Sequence, residues 1–514
     1  MPLDQIPLFP LVRPSKDYQL AVVGTGYVGT VAAACFAHLG YDVTGIETDT
    51  AKLARLQVGQ IPFYEPGLED LVNSCLREGR LRFTADYADG MTGADAVFLC
   101  VGTPPLPDGS ANMSAMNDAA RSVGAAVRHP AIVVIKSTIP LGAARSVWTV
   151  LQDTLGRRNG QAAPVTLVYN PEFLREGGAI GDFLSPDRVV LGSEDAHALK
   201  LVTDLYAPIL QQSFKGADPT RRPGLLCTDL TTAEAVKYAS NAFLATKISF
   251  INELGNICDL VGADVTSVAA GMGLDHRIGG DFLSAGLGWG GSCFGKDLSS
   301  LITTARGDGY EPALLAATVE VNKRQPDVLL DKLARHFACL AGRRIGLLGL
   351  AFKPGTDDLR DSPALEVAQR LLSRGAEVIA YDPMVSSVSH VPRLTVVGDP
   401  YEVAADADAV VLATDWPDFL LLDLPGLRTR MRGNVFVDGR NVFDHIVMDA
   451  AGLHYEPVGR SKAHSALEPD GGPKMRQHAA PANGRHLDAL TRRRPWLKNR
   501  RLPVEATSTQ PEEG

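Results

Sequence analysis

Short apolar runs recur along the first part of the chain, and each is followed by glycine or polar residues. Their length and continuity are typical of parallel strands that are buried on both faces of a sheet. Residues 30–39 are mostly small and are followed by Gly40, which predicts a helix with a glycine stop. The alternation predicts a doubly wound α/β sheet, with strands at 18–23, 42–46, 95–101, 131–135 and 165–169.

The pattern changes after Asp229. Residues 230–260 contain no proline and almost no glycine, which predicts one long helix. Glu234, Lys237, Tyr238 and Asn241 share one face of it through their i, i+3, i+4, i+7 spacing. For Lys237 and Asn241, spacing alone favours a solvated helix face. A helix of this length can link two domains and pair with its copy in a dimer.

A second series of apolar runs follows the long helix. Ser362 is a plausible N-cap, with Pro363 at the first helical position and Gly375 beyond the helix end. A second α/β domain is therefore expected, with strands at 344–350, 377–381, 409–413 and 435–437 and a helix at 362–374. Another helix is expected before it, at 320–341. This second domain lacks a complete G-x-G-x-x-G, so we expect no second dinucleotide there.

The first strand leads into a glycine motif, Gly24-Thr25-Gly26-Tyr27-Val28-Gly29, which opens the first helix. The second strand ends at Glu47, roughly twenty residues on, where a dinucleotide-binding fold carries its acidic residue. A carboxylate at this position accepts the ribose hydroxyls and repels a 2′-phosphate. The motif predicts NAD as cofactor, in preference to NADP.

These changes in pattern divide the chain into five parts. They are an N-terminal extension (1–17), a dinucleotide-binding domain (18–228), a central helical domain (229–340), a second α/β domain (341–459) and a tail (460–514). The tail has no sustained periodicity, and we expect it to be disordered. Its arginine clusters at 492–494 and 500–501 favour a solvated basic tail over a contact with an acidic partner.

The composition argues against several classes of function and site. The net charge of −9 argues against general nucleic-acid binding. Seven scattered cysteines resemble neither a disulfide framework nor a zinc site, which favours a reducing compartment and no metal. Neither a signal peptide nor a membrane span is evident. We expect a cytoplasmic protein.

Candidate chemistry lies in a glycine-rich loop, 288–297, in which Cys293 is followed by Lys296 and Asp297. Neighbouring positive charge would favour the reactive thiolate. A small buried cysteine in a turn is the plainer alternative. Thr103, Thr138 and Glu172 follow strands of the first sheet. They are candidates because ligands bind at the carboxyl ends of such strands, although loops are usually polar in any case.

With these residues in place, the chain resembles the nucleotide-sugar dehydrogenase family over about 18–445. Seven motifs in one order carry the resemblance: 24–29, Tyr64-Glu65-Pro66-Gly67-Leu68, Val101-Gly102-Thr103-Pro104, Lys136-Ser137-Thr138, Asn170-Pro171-Glu172-Phe173-Leu174-Arg175-Glu176-Gly177, Gly290-Gly291-Ser292-Cys293-Phe294 and the run 351–358. It overturns the plainer readings of Cys293, Lys237 and Asn241.

The resemblance implies two Rossmann-like doubly wound domains joined by the long helix, which forms the core of a homodimer; a higher oligomer stays open. It implies that the primary alcohol at C6 of UDP-glucose is oxidised to a carboxylate with two NAD in turn, through a covalent adduct on Cys293. Lys237 and Asn241 would donate to the oxyanion. The first base would be Lys237 or a water held by Asp297, and the hydrolytic water would lie near Asp297, Thr138 or Glu172.

Carried over by motif, the catalytic residues are Cys293, Lys237, Asn241, Asp297, Thr138 and Glu172. The implied cofactor-binding residues are Gly24, Gly26, Tyr27, Val28, Gly29, Glu47, Lys52, Thr103, Thr138, Glu176 and Lys296. The implied substrate-binding residues are Glu172, Phe173, Leu174, Arg175, Lys237, Asn241, Arg277, Phe282, Leu283, Gly286, Gly290, Lys353, Arg360 and Arg440.

The chain departs from the family pattern at four positions. Glu47 replaces a usual Asp, Trp289 a Phe or Tyr, Gly295 a Pro, and Gly280 a Pro or larger residue. GDP-mannose and a UDP-N-acetylhexosamine are the alternative substrates, although the serine before Cys293 disfavours the latter. A two-electron hydroxyacid dehydrogenase would not need Cys293, and a catalytically silent NAD sensor would not need Lys237 or Asp297.

Overall fold

The computed structural model describes residues 18–157 and 165–460. The expected extension and most of the expected tail lie outside these ranges. The described chain forms two α/β units connected by long helices, so the predicted fold class is confirmed.

The first unit is built on an eight-stranded sheet with the order β3-β2-β1-β4-β5-β6-β7-β8. Its strands are β1 (Gln19–Val23), β2 (Asp42–Ile46), β3 (Leu81–Thr84), β4 (Ala96–Leu99), β5 (Ala131–Ile135), β6 (Val165–Tyr169), β7 (Arg188–Gly192) and β8 (Gly224–Thr228). Neighbouring strands are parallel except β6 and β7. The order reverses at β1 and β4, which opens a crevice at their carboxyl ends.

Helices cover both faces of this sheet. They are α1 (Tyr27–His38), α2 (Thr50–Gln57), α3 (Leu68–Arg77), α4 (Tyr87–Gly90), α5 (Ser114–Ala126), α6 (Ala143–Gly156), α7 (Ala179–Leu184), α8 (Ala196–Leu205) and α9 (Ala207–Gln211). Alternate residues of β1 enter different apolar cores: Leu20 and Val22 on one face, Ala21 and Val23 on the other. This explains the continuous apolar runs, since both faces are buried.

Four helices connect the two sheets: α10 (Leu230–Val261), α11 (Val265–Gly273), α12 (Phe294–Gly307) and α13 (Ala313–Ala334). The long helix is confirmed as α10. It begins at an N-cap, Asp229, whose carboxylate accepts from the Thr232 N–H, and it ends at the left-handed Gly262.

The second unit has a six-stranded parallel sheet with the order β11-β10-β9-β12-β13-β14. Its strands are β9 (Arg344–Leu348), β10 (Glu377–Tyr381), β11 (Thr395–Val396), β12 (Ala409–Leu412), β13 (Val435–Asp438) and β14 (His454–Pro457). Its helices are α14 (Pro363–Ser373), α15 (Leu424–Arg430) and α16 (His445–Ala450), with 3₁₀ turns at Glu402–Ala404 and Pro417–Leu421. Ser362 caps α14 through the Leu365 N–H, and Gly375 has a φ of 83°.

Three sequence-based expectations need correction. The helix expected at 320–341 is α13, which spans Ala313–Ala334. It begins earlier than predicted because the Ala and Leu residues from Ala313 onward are already helical, and it contains Pro326 in its interior. The first helix begins at Tyr27, so Gly29 forms part of its first turn. The sequence pattern did not predict α11, which lies in the glycine-rich stretch before Cys293, or α12, which begins directly after Cys293. In the described ranges, no helix has both the length and the apolar character needed to cross a membrane.

Candidate active site

The glycine motif shapes the crevice above β1. Gly24 has a φ of 84°, and a methyl group at Gly29 would lie 1.9 Å from the Gly24 carbonyl oxygen. Both glycines are therefore required by the protein's own packing. A methyl group at Gly26 would meet no described protein atom within 4 Å. Gly26 is the N-cap of α1, so its missing side chain leaves open space where the helix N-terminus can receive a pyrophosphate.

Glu47 lies beside the glycine motif with its side chain buried. One carboxylate oxygen accepts from the Thr25 hydroxyl at 2.8 Å and pairs with Lys52, and the other accepts from the Asp49 N–H at 3.0 Å. Burial would raise the pKa of Glu47, but these hydrogen bonds and the Lys52 charge hold it below its usual value. The carboxylate is thus fixed in its charged form.

A cavity of about 210 Å³ joins these features. Its lining residues are Gly24, Gly26, Ile46, Glu47, Thr48, Lys52, Tyr87, Cys100, Val101 and Gly102. A glycine cradle and a charged carboxylate in one cavity suit the pyrophosphate and the ribose of a dinucleotide. The residues present therefore fit NAD.

Cys293 is the N-cap residue of α12 and is mostly buried. Its Sγ lies 3.5 Å from the Ser292 hydroxyl. Burial raises the pKa of the Cys293 thiol, Glu172 raises it further, and Lys237 only partly opposes them. The sequence predicted a lowered pKa for this thiol, because positive charge lies nearby. The pKa is raised instead, because burial and the carboxylates outweigh the lysine.

Lys237 and Glu172 form a buried ion pair beside the thiol. Lys237 Nζ donates to Glu172 Oε1 at 3.0 Å and to the Glu172 backbone oxygen at 2.6 Å. Glu172 also accepts from the Leu174 N–H at 2.7 Å. Burial favours the neutral form of each group, yet their mutual attraction raises the pKa of Lys237 and lowers that of Glu172. Both are charged.

Asn241 follows Lys237 by one turn of α10, and its Nδ2 donates to Asp297 Oδ2 at 2.7 Å. The other Asp297 oxygen accepts from Lys296 at 2.5 Å. Asp297 is almost fully buried, and its backbone N–H donates to the Cys293 carbonyl at 2.9 Å. The first turn of α12 therefore holds both the thiol and this carboxylate.

The loops after β4, β5 and β6 meet at the same place. The Thr103 hydroxyl donates to the Thr138 carbonyl at 2.7 Å, which ties two of these loops together. The ring of Phe173 lies 5.4 Å from Lys237 Nζ and 3.9 Å from the Arg188 guanidinium. The Phe173 ring therefore lies near both of these cationic groups.

The cysteine loop is packed against the second unit. A methyl group at Gly290 would lie 2.1 Å from the Asp361 carbonyl, and one at Gly291 would lie 2.8 Å from the Phe352 ring. The Gly291 N–H donates to the Arg360 carbonyl at 2.9 Å. The thiol therefore lies at the junction of the two units.

Glu176 connects the three parts of this junction. It accepts from the Ser292 hydroxyl at 3.3 Å, from the Thr356 hydroxyl at 3.1 Å and from Arg360 at 3.5 Å. Burial and then Asp358 raise the pKa of Glu176 to about 7. Proton loss near neutral pH thus places an unfavourable buried charge at this contact.

The other candidate substrate residues are dispersed around the junction. Arg440 Nε donates to the Ala413 carbonyl at 2.8 Å, and the amino group of Lys353 lies 5.7 Å from the Phe352 ring. Arg175 and Arg277 are exposed and pair with Asp182 and Asp275.

The loop before the cysteine has an unusual backbone. Phe282 has a φ of 64°, Leu283 is buried against α10 and α11, and the Gly286 N–H donates to Asn252 at 2.7 Å.

Sequence reasoning assigned no role to Glu65. Its carboxylate accepts from the N–H groups of Gly177 and Ala179 at 2.6 and 2.8 Å and from the Tyr27 hydroxyl. It therefore fixes the loop that carries Glu172 and Glu176 against the start of α1. Its place in the Tyr64–Leu68 motif was the one available signal.

Comparison with known proteins identifies this arrangement. Three domain models of the UDP-glucose/GDP-mannose dehydrogenase family match the chain: the NAD binding domain at 18–210, the central domain at 231–324 and the UDP binding domain at 346–445. The chain is 43% identical over 454 residues to UDP-glucose 6-dehydrogenase of Pseudomonas aeruginosa, covering 87% of this chain and 98% of that one.

The chain belongs to the UDP-glucose/GDP-mannose dehydrogenase family. A UDP-glucose 6-dehydrogenase of Bacillus subtilis, TuaD, is 41% identical over 86% of this chain and 93% of its own. A solved UDP-glucose dehydrogenase from Pyrobaculum islandicum superposes with a TM-score of 0.78 at 40% identity, covering 88% of this chain and all of that one. A UDP-D-ManNAc dehydrogenase from Pyrococcus horikoshii gives 0.74 at 27% identity, with coverages of 86% and 99%.

Membership in the UDP-glucose/GDP-mannose dehydrogenase family makes the chain an NAD-dependent nucleotide-sugar dehydrogenase. The glycine cradle and Glu47 lie in the family's NAD binding domain, and Lys237, Asn241 and Cys293 in its central domain. Lys353, Arg360 and Arg440 lie in the UDP binding domain. The family's three domains therefore meet at the junction that carries the thiol.

Proposed function

We propose that the chain oxidises C6 of UDP-glucose from an alcohol to a carboxylate, through a covalent intermediate on Cys293. The observation that carries the proposal is a buried thiol flanked by a charged lysine–glutamate pair and by an asparagine–aspartate pair. NAD, when bound, accepts the hydride in each of the two oxidations. Two oxidations of one carbon suit a thiol nucleophile, because a thioester retains the acyl group between oxidation and hydrolysis.

The protonation states support one choice among the bases that the sequence left open. Because Glu172 holds Lys237 in its ammonium form, Lys237 is a poor acceptor for the C6 hydroxyl proton. A water held by Asp297 takes that role in our proposal. The aldehyde is then attacked by Cys293 Sγ. As the C–S bond forms, the thiol gives up its proton to Glu172, the carboxylate whose charge acts most strongly on this thiol.

The oxyanion of the resulting thiohemiacetal needs hydrogen-bond donors. An ammonium carries three N–H bonds and an amide nitrogen two. Lys237 uses two of its donors on Glu172, and Asn241 uses one on Asp297. Each therefore retains one N–H for the oxyanion. The second oxidation gives the thioester, and water then breaks the C–S bond to release the acid and the thiol.

The decisive experiment combines turnover with intact-mass analysis. UDP-glucose should yield two NADH per sugar acid and should be preferred over GDP-mannose and UDP-N-acetylglucosamine. Cys293→Ser should lose steady-state turnover by orders of magnitude and accumulate a sugar adduct, because an oxygen ester is hydrolysed more slowly than a thioester. The matched Cys293→Ala variant should bind NAD and form no adduct. One NADH per sugar, or near-normal turnover by the alanine variant, would reject the mechanism.

The proposal includes a homodimer formed through α10. Exposed apolar residues occur along one stripe of this helix, at Phe243, Phe250, Ile257 and Leu260. Their spacing of seven and three residues is that of a helix–helix seam. Large exposed apolar side chains in one row are costly in water, so a second copy of the chain is the occupant that we propose.

We also propose a cytoplasmic location. All seven cysteines are unpaired in the structure, including the exposed Cys339. Free thiols persist in reducing compartments.

A further inference from the structure

Three potential metal ligands converge at the edge of the second sheet. His336 follows the end of α13, and His454 and Glu456 lie on the edge strand β14, on one face of it because they are two residues apart. Glu456 Oε1 lies 3.0 Å from His336 Nε2 and 3.3 Å from His454 Nε2. One ligand atom from each of the three residues lies within 4.8 Å of the others.

The two carboxylate–imidazole distances, 3.0 and 3.3 Å, suit a small divalent transition metal. Zinc bonds of 2.0–2.2 Å to nitrogen and oxygen place neighbouring ligand atoms of a tetrahedral site about 3.3 Å apart. Two imidazoles and one carboxylate form a ligand set for zinc and related metals, whereas magnesium and calcium prefer oxygen alone. The side chains of His336, His454 and Glu456 are 21%, 50% and 17% exposed. An ion can therefore reach them from solvent and keep water in its remaining position.

The cluster is separate from the proposed catalytic machinery. His336 falls between the matched central and UDP binding domains, which end at 324 and begin at 346. His454 and Glu456 lie beyond the end of the UDP binding domain at 445. The three ligands therefore lie outside the segments that define the family.

We propose that His336, His454 and Glu456 bind one Zn²⁺ ion that ties the end of α13 to the edge strand β14. Arg335 lies 3.7 Å from the second carboxylate oxygen of Glu456, so the carboxylate offers one oxygen to the ion. A site of this kind stabilises the fold by linking elements 120 residues apart in sequence. Sequence spacing did not reveal it, because the ligands form no local motif. The alternative is a carboxylate held by two imidazole N–H groups without metal.

The test is a Zn²⁺ titration of the untagged, chelator-stripped, full-length chain, followed by calorimetry. The sequence contains other histidines, including His464, His478 and His486. Binding is therefore compared between variants. His336→Ala and His454→Ala should each weaken the tightest Zn²⁺ site at least about tenfold. Glu456→Gln should weaken it less. The control is His276→Ala, whose side chain is 94% exposed and lies elsewhere; it should bind Zn²⁺ as the wild type does.

Two further readouts separate metal binding from altered folding. Zn²⁺ should raise the Tm of the wild type and of His276→Ala but not of His336→Ala/His454→Ala, and Mg²⁺ should raise none of them. Co²⁺ should give visible absorption bands in the wild type that the double variant lacks. The metal-free Tm and the turnover of each variant show whether it folds. Equal Zn²⁺ isotherms and equal melting shifts in a folded double variant and the wild type would overturn the proposal.

Discussion

Gly26 and Gly29 belong to one motif, yet the surrounding atoms constrain them differently. Gly29 is required by the protein itself, since a side chain there would collide with the Gly24 carbonyl. Gly26 faces open space in the same crevice. Gly29 is therefore needed for folding, whereas Gly26 is needed for binding the cofactor.

Gly26→Ala should fold normally and bind NAD poorly. The methyl group meets no described protein atom within 4 Å, but it would occupy space needed for the pyrophosphate. Losing a hydrogen bond to a charged group costs about 1.5–3 kcal/mol, or roughly tenfold to hundredfold in Kd. Gly29→Ala should instead lower the free energy of unfolding by about 1–3 kcal/mol through overpacking. Calorimetric NAD titrations and thermal melts of both variants check this. A Gly26→Ala protein with wild-type NAD affinity would contradict it.

Glu47 should determine the preference for NAD. Its carboxylate is buried, charged and paired with Lys52. Glu47→Ala removes the charge that repels a 2′-phosphate and leaves Lys52 free to attract one. The ratio of kcat/KM for NAD over NADP should fall at least about tenfold, or ~1.4 kcal/mol. Lys52→Ala serves as the control and should not increase the use of NADP. Comparable kcat/KM values for the two cofactors in the wild type would refute the role of Glu47.

At the scale of secondary-structure elements, the sequence predicts the ends of an element best where they depend only on residues within that element or next to it. Strands such as β5 and β10 match their predicted ranges because their apolar residues, at 131–135 and 378–381, are followed directly by the polar Lys136 and Asp382. The start of α12 escaped prediction because glycines before Cys293 mask the helix onset. Contacts distant in sequence were not predictable either: Glu65 and Gly177 lie 112 residues apart, and only the fold brings them together.

The exposed stripe on α10 gives a prediction about assembly. Phe250 lies in its middle and is 46% exposed. Phe250→Asp should dissociate the dimer, because burying an unpaired carboxylate is unfavourable. As a large aromatic residue at the centre of the proposed interface, Phe250 is expected to be a hot spot worth about 2 kcal/mol or more, so the dimer Kd should rise about thirtyfold or more. Val58→Asp is the control, since Val58 is 66% exposed and far from α10 in sequence. Sedimentation equilibrium measures both; an unchanged mass for Phe250→Asp would reject the α10 interface.

At the scale of the whole molecule, the last described residues connect the second α/β unit back to the central helices. After β14 the chain returns to the central helices, where the Val265 N–H donates to the Gly459 carbonyl at 2.8 Å. The Arg460 Nη1 donates to the Phe443 carbonyl at 2.7 Å, and its Nε lies 3.6 Å from Asp264. The second α/β unit is thus fastened to the connecting helices at both of its ends. The composition of the tail suggested a boundary near 460 but could not reveal this contact, which joins residues far apart in sequence.

Two truncations separate this contact from the tail. A chain that ends at Arg460 keeps every contact described above, and it should retain the activity, the sedimentation and the Tm of the full chain. A chain that ends at Val458 loses the Gly459 and Arg460 hydrogen bonds. At about 1 kcal/mol each, their loss should lower the free energy of unfolding by ~2 kcal/mol, and a domain of this size then loses about 4–8 °C in Tm. Arg460→Ala in the full chain should give roughly half of that shift.

Thermal melts of the full chain, the two truncated chains and the Arg460→Ala variant test these expected shifts in Tm. Equal melting of the two truncated chains would show that the contact adds no stability, and lost turnover in the longer one would show that residues 461–514 serve the enzyme directly.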